Sequence, residues 1–394
     1  MTKRAWSGPK RAPAKVLIGW VALMAFLVLT GIVFASGRAS ANSLAPTNAA
    51  ATPQRLADIR KLVAAASRPS PPWDGPKTGP SAKKGRLIAV VCEDLRNGGI
   101  LGVAQGIHEA AKVMAWQVKV FDASGTVAGR DKAAAAALAA KPEGLILVGA
   151  DANVMQPQLV AFAKQHIPIV GWHVGSKAGA LADGPVAINV STDPLAVADL
   201  TAMAAVVDGN GKAGVVIFTD ANFAIAVTKA NAMAEVIRTA PGCTLLEMRD
   251  VPISQSAERM PAVIRELLGR YGKRWTHALA INDIYFDYAV PELIMAGRAG
   301  DAIRFLSAGD GSSAAFMRIQ TTTFQVGTVA EPLNLHGWQL VDELNRLLEN
   351  QPVSGYVVPV HLVTPENIQY DGGLRFLYDP ANGYRDVYRR IWGR

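Results

Sequence analysis

Only two cysteines, Cys92 and Cys243, occur in 394 residues. They fall in different halves of the chain, so no disulfide between them is expected, and two isolated thiols make no metal site. Neither follows the apolar stretch near the N-terminus, so that stretch has no lipid-attachment cysteine. Acidic residues are missing from the first 41 positions, which hold Lys3, Arg4, Lys10, Arg11, Lys15 and Arg38. Removing those six charges from the net +8 leaves +2 for the remainder. A near-neutral body carries no electrostatic footprint for a phosphate backbone, which excludes nucleic acid as a partner.

The common catalytic signatures of α/β chains are also missing. No G-x-G-x-x-G opens a helix after a strand; Gly171 and Gly175 are spaced wrongly for it. No G-x-x-x-x-G-K-[ST] occurs, and Gly309-Asp310-Gly311-Ser312-Ser313 lacks the closing glycine of a nucleophile elbow. The six histidines show no H-E-x-x-H or other ligand spacing. His173 follows a predicted strand and could serve as a base or as a hydrogen-bonding pocket residue. His108 and His166 fall on predicted helices at the surface or its boundary. An enzyme is not expected, nor a metal or cofactor.

What is present begins with residues 16–35, a run without a charged side chain, preceded by basic residues and followed by Ala39-Ser40-Ala41. This order reads as an export segment. It is also just long enough to span a bilayer, so cleavage after Ala41 and retention as an inner-membrane anchor are both open. Either way the positive flank stays in the cytoplasm and the body faces the periplasm. Residues 42–85 read as a Pro/Ala-rich linker with one helix over 53–66.

From Arg86 the pattern becomes regular. Continuous apolar runs over 87–92, 118–121, 144–148 and 167–172 alternate with helical segments. The rhythm restarts with runs over 214–218, 244–249, 278–282, 305–308 and 325–330. Unbroken apolar strands alternating with helices predict parallel sheets covered on both faces. Two such series predict an α/β protein of two doubly wound parallel-sheet lobes. Residues 187–190 read as the first crossover between them.

Ligands of such sheets bind beyond the carboxyl ends of the strands. That rule selects Glu93, Asp94 and Asn97; Asp122; Asp151; Trp172 and His173; Thr219, Asp220 and Phe223; Asn282 and Asp283; and Asp310. Carboxylates and amides at these ends suit a neutral polyhydroxyl ligand, because each hydroxyl left unpaired in a buried site is penalised. Asn282-Asp283 is the sharpest pair, although both residue types also commonly end strands as turn residues.

The order of residues 87–97, 144–151, 167–173, Ala280-Ile281-Asn282-Asp283, Ser307-Ala308-Gly309-Asp310-Gly311, 328–331 and 358–367 resembles the type I periplasmic sugar-binding proteins. These are the ribose- and galactose-binding components of ABC transporters. Trp73-Asp74-Gly75-Pro76 and Tyr378-Asp379-Pro380 fit a sub-branch with N- and C-terminal extensions. The resemblance implies two lobes joined by a three-segment hinge, with residues 86–190 and 331–358 in the first lobe. Residues 191–330 and 359–394 would form the second lobe with its tail. It also implies closure of the cleft on a sugar-like ligand and delivery to an ABC transporter permease. Asn97, Asn282 and Asp310 match the family's ligand residues, Glu331 falls at a polar hinge position, and Lys229 falls near the sugar-binding arginine. Two departures stand out. Gly99 and Ile100 replace the stacking aromatics of the first loop, and Val174 replaces an arginine, which removes a bidentate donor. Trp172 and Phe223 are the candidates for replacement stacking. Two rival readings remain, a membrane-tethered sensor module and an exported enzyme with His173 as base.

Overall fold

Apolar runs that are continuous in the sequence become strands buried on both faces. The computed structural model describes residues 53–298, 302–372 and 375–394, so the expected export segment lies outside the described residues. Helix α1 (Pro53–Ala66) comes first. A βα series follows: β1 (Leu87–Cys92), α2 (Gly98–Met114), β2 (Gln117–Asp122), α3 (Val127–Ala139), β3 (Gly144–Val148), α4 (Gln156–Ala163), β4 (Ile169–Trp172), β5 (Gly179–Ala180) and β6 (Val186–Val190). These strands form one six-stranded sheet in the order β2-β1-β3-β4-β6-β5, parallel except for the short edge strand β5. Central β1 and β3 are almost wholly buried, whereas edge strand β2 is largely exposed, which is why its sequence, QVKVFD, alternates with polar residues.

A second series repeats the plan with α5 (Pro194–Asp208), β7 (Gly214–Thr219), α6 (Ala224–Thr239), β8 (Thr244–Asp250), α7 (Ser256–Tyr271), β9 (His277–Ala280), α8 (Ile284–Met295), β10 (Arg304–Ser307), α9 (Ser313–Gln320) and β11 (Gln325–Ala330). The chain then runs through α10 (Leu333–Leu348), β12 (His361–Val363), α11 (Ile368–Asp371) and α12 (Tyr384–Trp392). The second sheet has the order β12-β11-β10-β9-β7-β8, with β12 antiparallel on β11. Each lobe is thus a doubly wound α/β sheet, as the alternation predicts.

Helix α10 belongs to the first lobe, where it lies against α2. A Cβ on Gly337 would come within 2.4 Å of the Gly106 backbone, so the two glycines permit this close crossing of helices. The first transfer between lobes occurs at residues 191–193, immediately after β6. Residues 187–190, expected as that crossover, are instead strand β6, because their apolar run pairs with β4. The other two transfers, expected at 330/331 and 358/359, fall between β11 and α10 and between α10 and β12.

Two further segments depart from the expected domain plan. Residues 53–85 are not a bare linker. Leu56, Ile59 and Val63 of α1 pack on the second lobe's core, while Trp73 and Ala82 enter the first lobe's core. Nor does the C-terminal tail remain with the second lobe. Ile368 and Tyr378 pack there with Phe316 and Ile319, but α12 returns to the first lobe. Its buried residues Tyr384, Tyr388, Ile391 and Trp392 share one helical face and meet Trp73 and Trp338. The Trp338 and Trp392 rings stack with centroids 5.2 Å apart, and Trp392 Nε1 donates to Asp342 Oδ1 at 2.7 Å. Among the described residues the chain therefore passes between the lobes five times. No described helix is long and apolar enough to cross a membrane.

Trp392→Ala removes a fully buried ring and takes the donor from Asp342 Oδ1, while Oδ2 keeps Arg346 Nε. A loss of about 3–5 kcal/mol is expected in denaturant unfolding. An unchanged midpoint would show that the tail is not part of the first lobe's core in solution.

Candidate functional site

The carboxyl ends of both sheets face one another and enclose a cavity of about 530 Å³. Its polar groups are set by the loops that follow the strands. After β1, Asn97 caps α2, its Oδ1 accepting from Gly99 N–H at 2.9 Å. After β9, Asn282 uses Oδ1 in the same way on Ile284 N–H, and its Nδ2 donates to Asp310 Oδ2 at 2.6 Å. Asp310 follows β10 and lies directly against the start of α2. A Cβ on Gly99 would stand 2.1 Å from Asp310 Oδ2, so the glycine, in place of an aromatic, lets the two lobes meet here. Lys229 reaches in from α6 and donates to the Ala308 carbonyl at 2.9 Å. His173 follows β4 with φ +53, a left-handed conformation in which histidine is enriched among non-glycine residues. Its ring stacks on Trp172 with centroids 3.7 Å apart.

Behind this group, at the second crossover, lies Glu331 with no exposed surface. His173 Nε2 is 2.9 Å from its Oε1, Lys229 Nζ is 3.8 Å from the same oxygen, and Thr192 N–H approaches Oε2 at 3.5 Å. Burial alone would raise this carboxyl, but His173 and Lys229 outweigh it and hold it down at about 2. Asp310 shows the opposite balance. Burial pushes its carboxyl up to about 6 against the pull of His173 and Lys229. Burial lowers His336 to about 4, so its neutral ring accepts from Trp172 Nε1–H at 3.1 Å. His173, Asp310 and Glu331 bring ligand-type atoms within 4.8 Å of one another, which is metal-site spacing. The Lys229 ammonium already supplies a cation to this group, so the cluster is better described as an ion network.

Asp94, Asn97, Trp172, His173, Phe223, Lys229, Asn282 and Asp310 line the cavity. Three sequence candidates for ligand contact, Asp283, Glu331 and Asp151, are not among the residues that line this cavity. Asp283 is turned away from the cavity. It accepts from Gly311 and Ser312 N–H and from Gln325, which fixes the loop carrying Asp310. Glu331 is sealed in the hinge. Asp151 crosses between lobes, its Oδ2 accepting from Ala224 N–H at 3.2 Å. Helix α6 has no side-chain cap of its own, so Asp151 supplies one from the opposite lobe. Trp172, expected as a stacking platform, has its ring stacked on His173 and is 1% exposed. Sequence reasoning missed Arg130, which pairs with Glu93 through Nε and Nη2, and the apolar lining residues Val127, Val154 and Ile253. Val154 and Ile253 lie between strand and helix, where the search was for polar residues, whereas Val127 and Arg130 are in the first turn of α3, beyond the strand-end rule. The two cysteines are free and in different lobes, and burial pushes the Cys92 thiol up to about 12.

A family model described as the periplasmic binding protein domain matches residues 88–352. The chain belongs to the periplasmic binding protein family. Solved structures of similar fold include an ABC transporter solute-binding protein from Agrobacterium vitis with bound allitol, at 19% identity and TM-score 0.61, covering 73% of this chain and 97% of that one. Another from Agrobacterium vitis, bound with α-D-tagatopyranose, has 15% identity and TM-score 0.65, covering 74% and 99%. A 5-methylthioribose transporter solute-binding protein from Thermotoga lettingae, in complex with 5-methylthioribose, has 17% identity and TM-score 0.62, covering 82% and 96%. At these identities the likeness is one of fold. No curated protein matches the chain by sequence. As a periplasmic binding protein the chain is of an extracytoplasmic, solute-binding kind.

The two shifted carboxyls make opposite contributions to pH-dependent stability. Glu331 is depressed, so its contribution is present above its unfolded value near 4.5 and is lost as pH falls toward 2. Asp310 is raised, so its contribution is full below 3.8 and is lost as pH rises through about 6. Asp310→Asn should therefore stabilise the ligand-free protein at pH 7 by about 1–3 kcal/mol, with the gain fading between pH 6 and pH 4. Denaturant melts across that range test it; a gain that does not vary with pH would contradict the charge account.

Proposed function

We propose that this protein captures a small polyhydroxylated ligand, a sugar or polyol, between its lobes and delivers it to the permease of an ABC importer. The observation that carries this reading is the cavity between the lobes, whose hinge end presents Asn97, His173, Lys229, Asn282 and Asp310. Asn97 retains its Nδ2 donor after capping α2, Lys229 retains protons after bonding Ala308, and Asp310 keeps Oδ1 after receiving Asn282. Donors and a charged acceptor at close quarters suit vicinal hydroxyls. Allitol, tagatopyranose and 5-methylthioribose in the fold neighbours are small polyhydroxylated molecules of this kind.

Capture works by shifting the balance between open and closed lobes. The ligand favours the closed form because only there do both lobes touch it. Asp310 and Lys229 come from the second lobe, Asn97 and His173 from the first. Micromolar affinity requires a net gain of about 8 kcal/mol, within reach of several charge-assisted hydrogen bonds. His173 is committed to Glu331 and to the Trp172 ring, which favours a binding role over that of a general base. Export through residues 16–35 would place the body in the periplasm, either free after cleavage at Ala41 or held at the inner membrane.

Native mass spectrometry of the purified protein is expected to release a sugar or polyol. An empty protein that binds no member of a broad sugar panel would overturn the ligand class. With the identified ligand, Asp310→Ala should weaken binding about 10- to 100-fold while the protein stays folded. Retained affinity would remove Asp310 from the site. Asp151→Ala does not touch the cavity, yet it removes the interlobe cap of α6 and should weaken the same ligand about fivefold. Equal titration constants for this variant and the parent would show that the contact does not help hold the lobes closed.

A further inference from the structure

The cavity is not polar throughout, and the topology explains its gradient. In the second sheet the order from hinge to outer edge is β11, β10, β9, β7, β8. The residues after the first three are Glu331, Asp310 and Asn282, whereas the loops after β7 and β8 contribute Phe223 and Ile253. On the first lobe His173 follows β4, and Val154 and Val127 follow β3 and edge strand β2. Each of four segments that follow outer strands therefore brings an apolar side chain to the same cavity, beside the polar Asn222, Ser254 and Gln255.

The charged groups in that outer part are already engaged within their own lobes. Glu93 takes Arg130 through two guanidinium nitrogens, Asp94 takes Arg96, and Asp220 accepts from Asn222 and Ile253 N–H. Phe223 and Ile253 also help cover the second lobe's core, but Val127 and Val154 belong to no core cluster among the described residues. They are 69% and 47% exposed. Two valines held at the mouth of a binding cavity without a packing role indicate a contact surface for something apolar.

We propose that the ligand is a polyhydroxylated molecule bearing an apolar substituent, with its hydroxyls at the hinge end and the substituent among Val127, Val154, Phe223 and Ile253. The proposal rests on the solute-capture reading and specifies its ligand class. An unsubstituted sugar would fill the hinge end and leave this apolar wall in contact with water. An alkyl, thioalkyl or aryl group would cover it.

The test is titration calorimetry on the full chain freed of co-purified ligand. The probes are free pentoses, hexoses and polyols, each set against its methylthio, O-methyl and O-phenyl derivatives. At least one derivative should bind about tenfold tighter than its parent. The double variant Val127→Asn, Val154→Asn alters exposed positions, and its fold is checked by circular dichroism. It should erase that preference, read as the ratio of the derivative's affinity to its parent's. If every parent binds as tightly as its derivatives, the proposal falls and solute capture stands. A preference that survives the double variant overturns the placement of the substituent. If no member of any pair binds, the sugar reading fails and the proposal with it.

Discussion

A carboxylate without exposed surface, Glu331, sits where the chain passes from the second lobe to the first, and the cleft is organised around its compensation. Left alone, a buried charge of this kind would neutralise or open the fold. It is held ionised by His173 from the first lobe, Lys229 from the second and the backbone of the first crossover. His173 and Lys229 also line the hinge end of the cavity, so the network that fixes the hinge also fixes these polar atoms of the cavity. His173 is the clearest case, because its engagement with Glu331 and its stacking on Trp172 leave its ring little freedom.

Closure is supported by a small number of interlobe contacts at the cleft. Asp310 lies against Gly99, Asp151 caps α6, and a Cβ on Gly125 would touch Ser254. None is large, which fits a hinge that must also open. The two extra passages made by the extensions run beside the third crossover. Tyr356 OH donates to Asp74 Oδ1 at 2.5 Å, and Ser70 and Tyr378 hydroxyls meet at 2.6 Å. These segments join the lobes at the crossovers and add buried aromatic surface to the first lobe without entering the ligand cavity.

Most of the fold was legible in the sequence because parallel strands buried on both faces must be continuously apolar, and helices must alternate with them. The strand-end rule then pointed to the cleft, since it depends on sheet direction and not on detailed packing. It failed where a polar residue had another task. Asp283 anchors a loop, Asp151 caps a helix of the opposite lobe, and Glu331 balances the hinge. A sequence lists polar residues at strand ends but does not say which way each side chain turns.

The sequence by itself determined the two-lobed α/β plan, the strand ends that border the cleft and the absence of common catalytic motifs, because these follow from periodicity, strand direction and residue spacing. The tertiary structure decided where the extensions pack, which carboxylates face the cavity, and that Val127, Val154, Phe223 and Ile253 reach its outer part beside charged groups already paired within their own lobes. Those properties depend on distances between residues far apart in the chain. Asp151 and Ala224 are 73 positions apart and meet at 3.2 Å, and Trp172 and His336 are 164 apart and meet at 3.1 Å. No local pattern encodes such pairs; Trp172–His336 exists only once the first lobe has folded, and Asp151–Ala224 only once the two lobes meet.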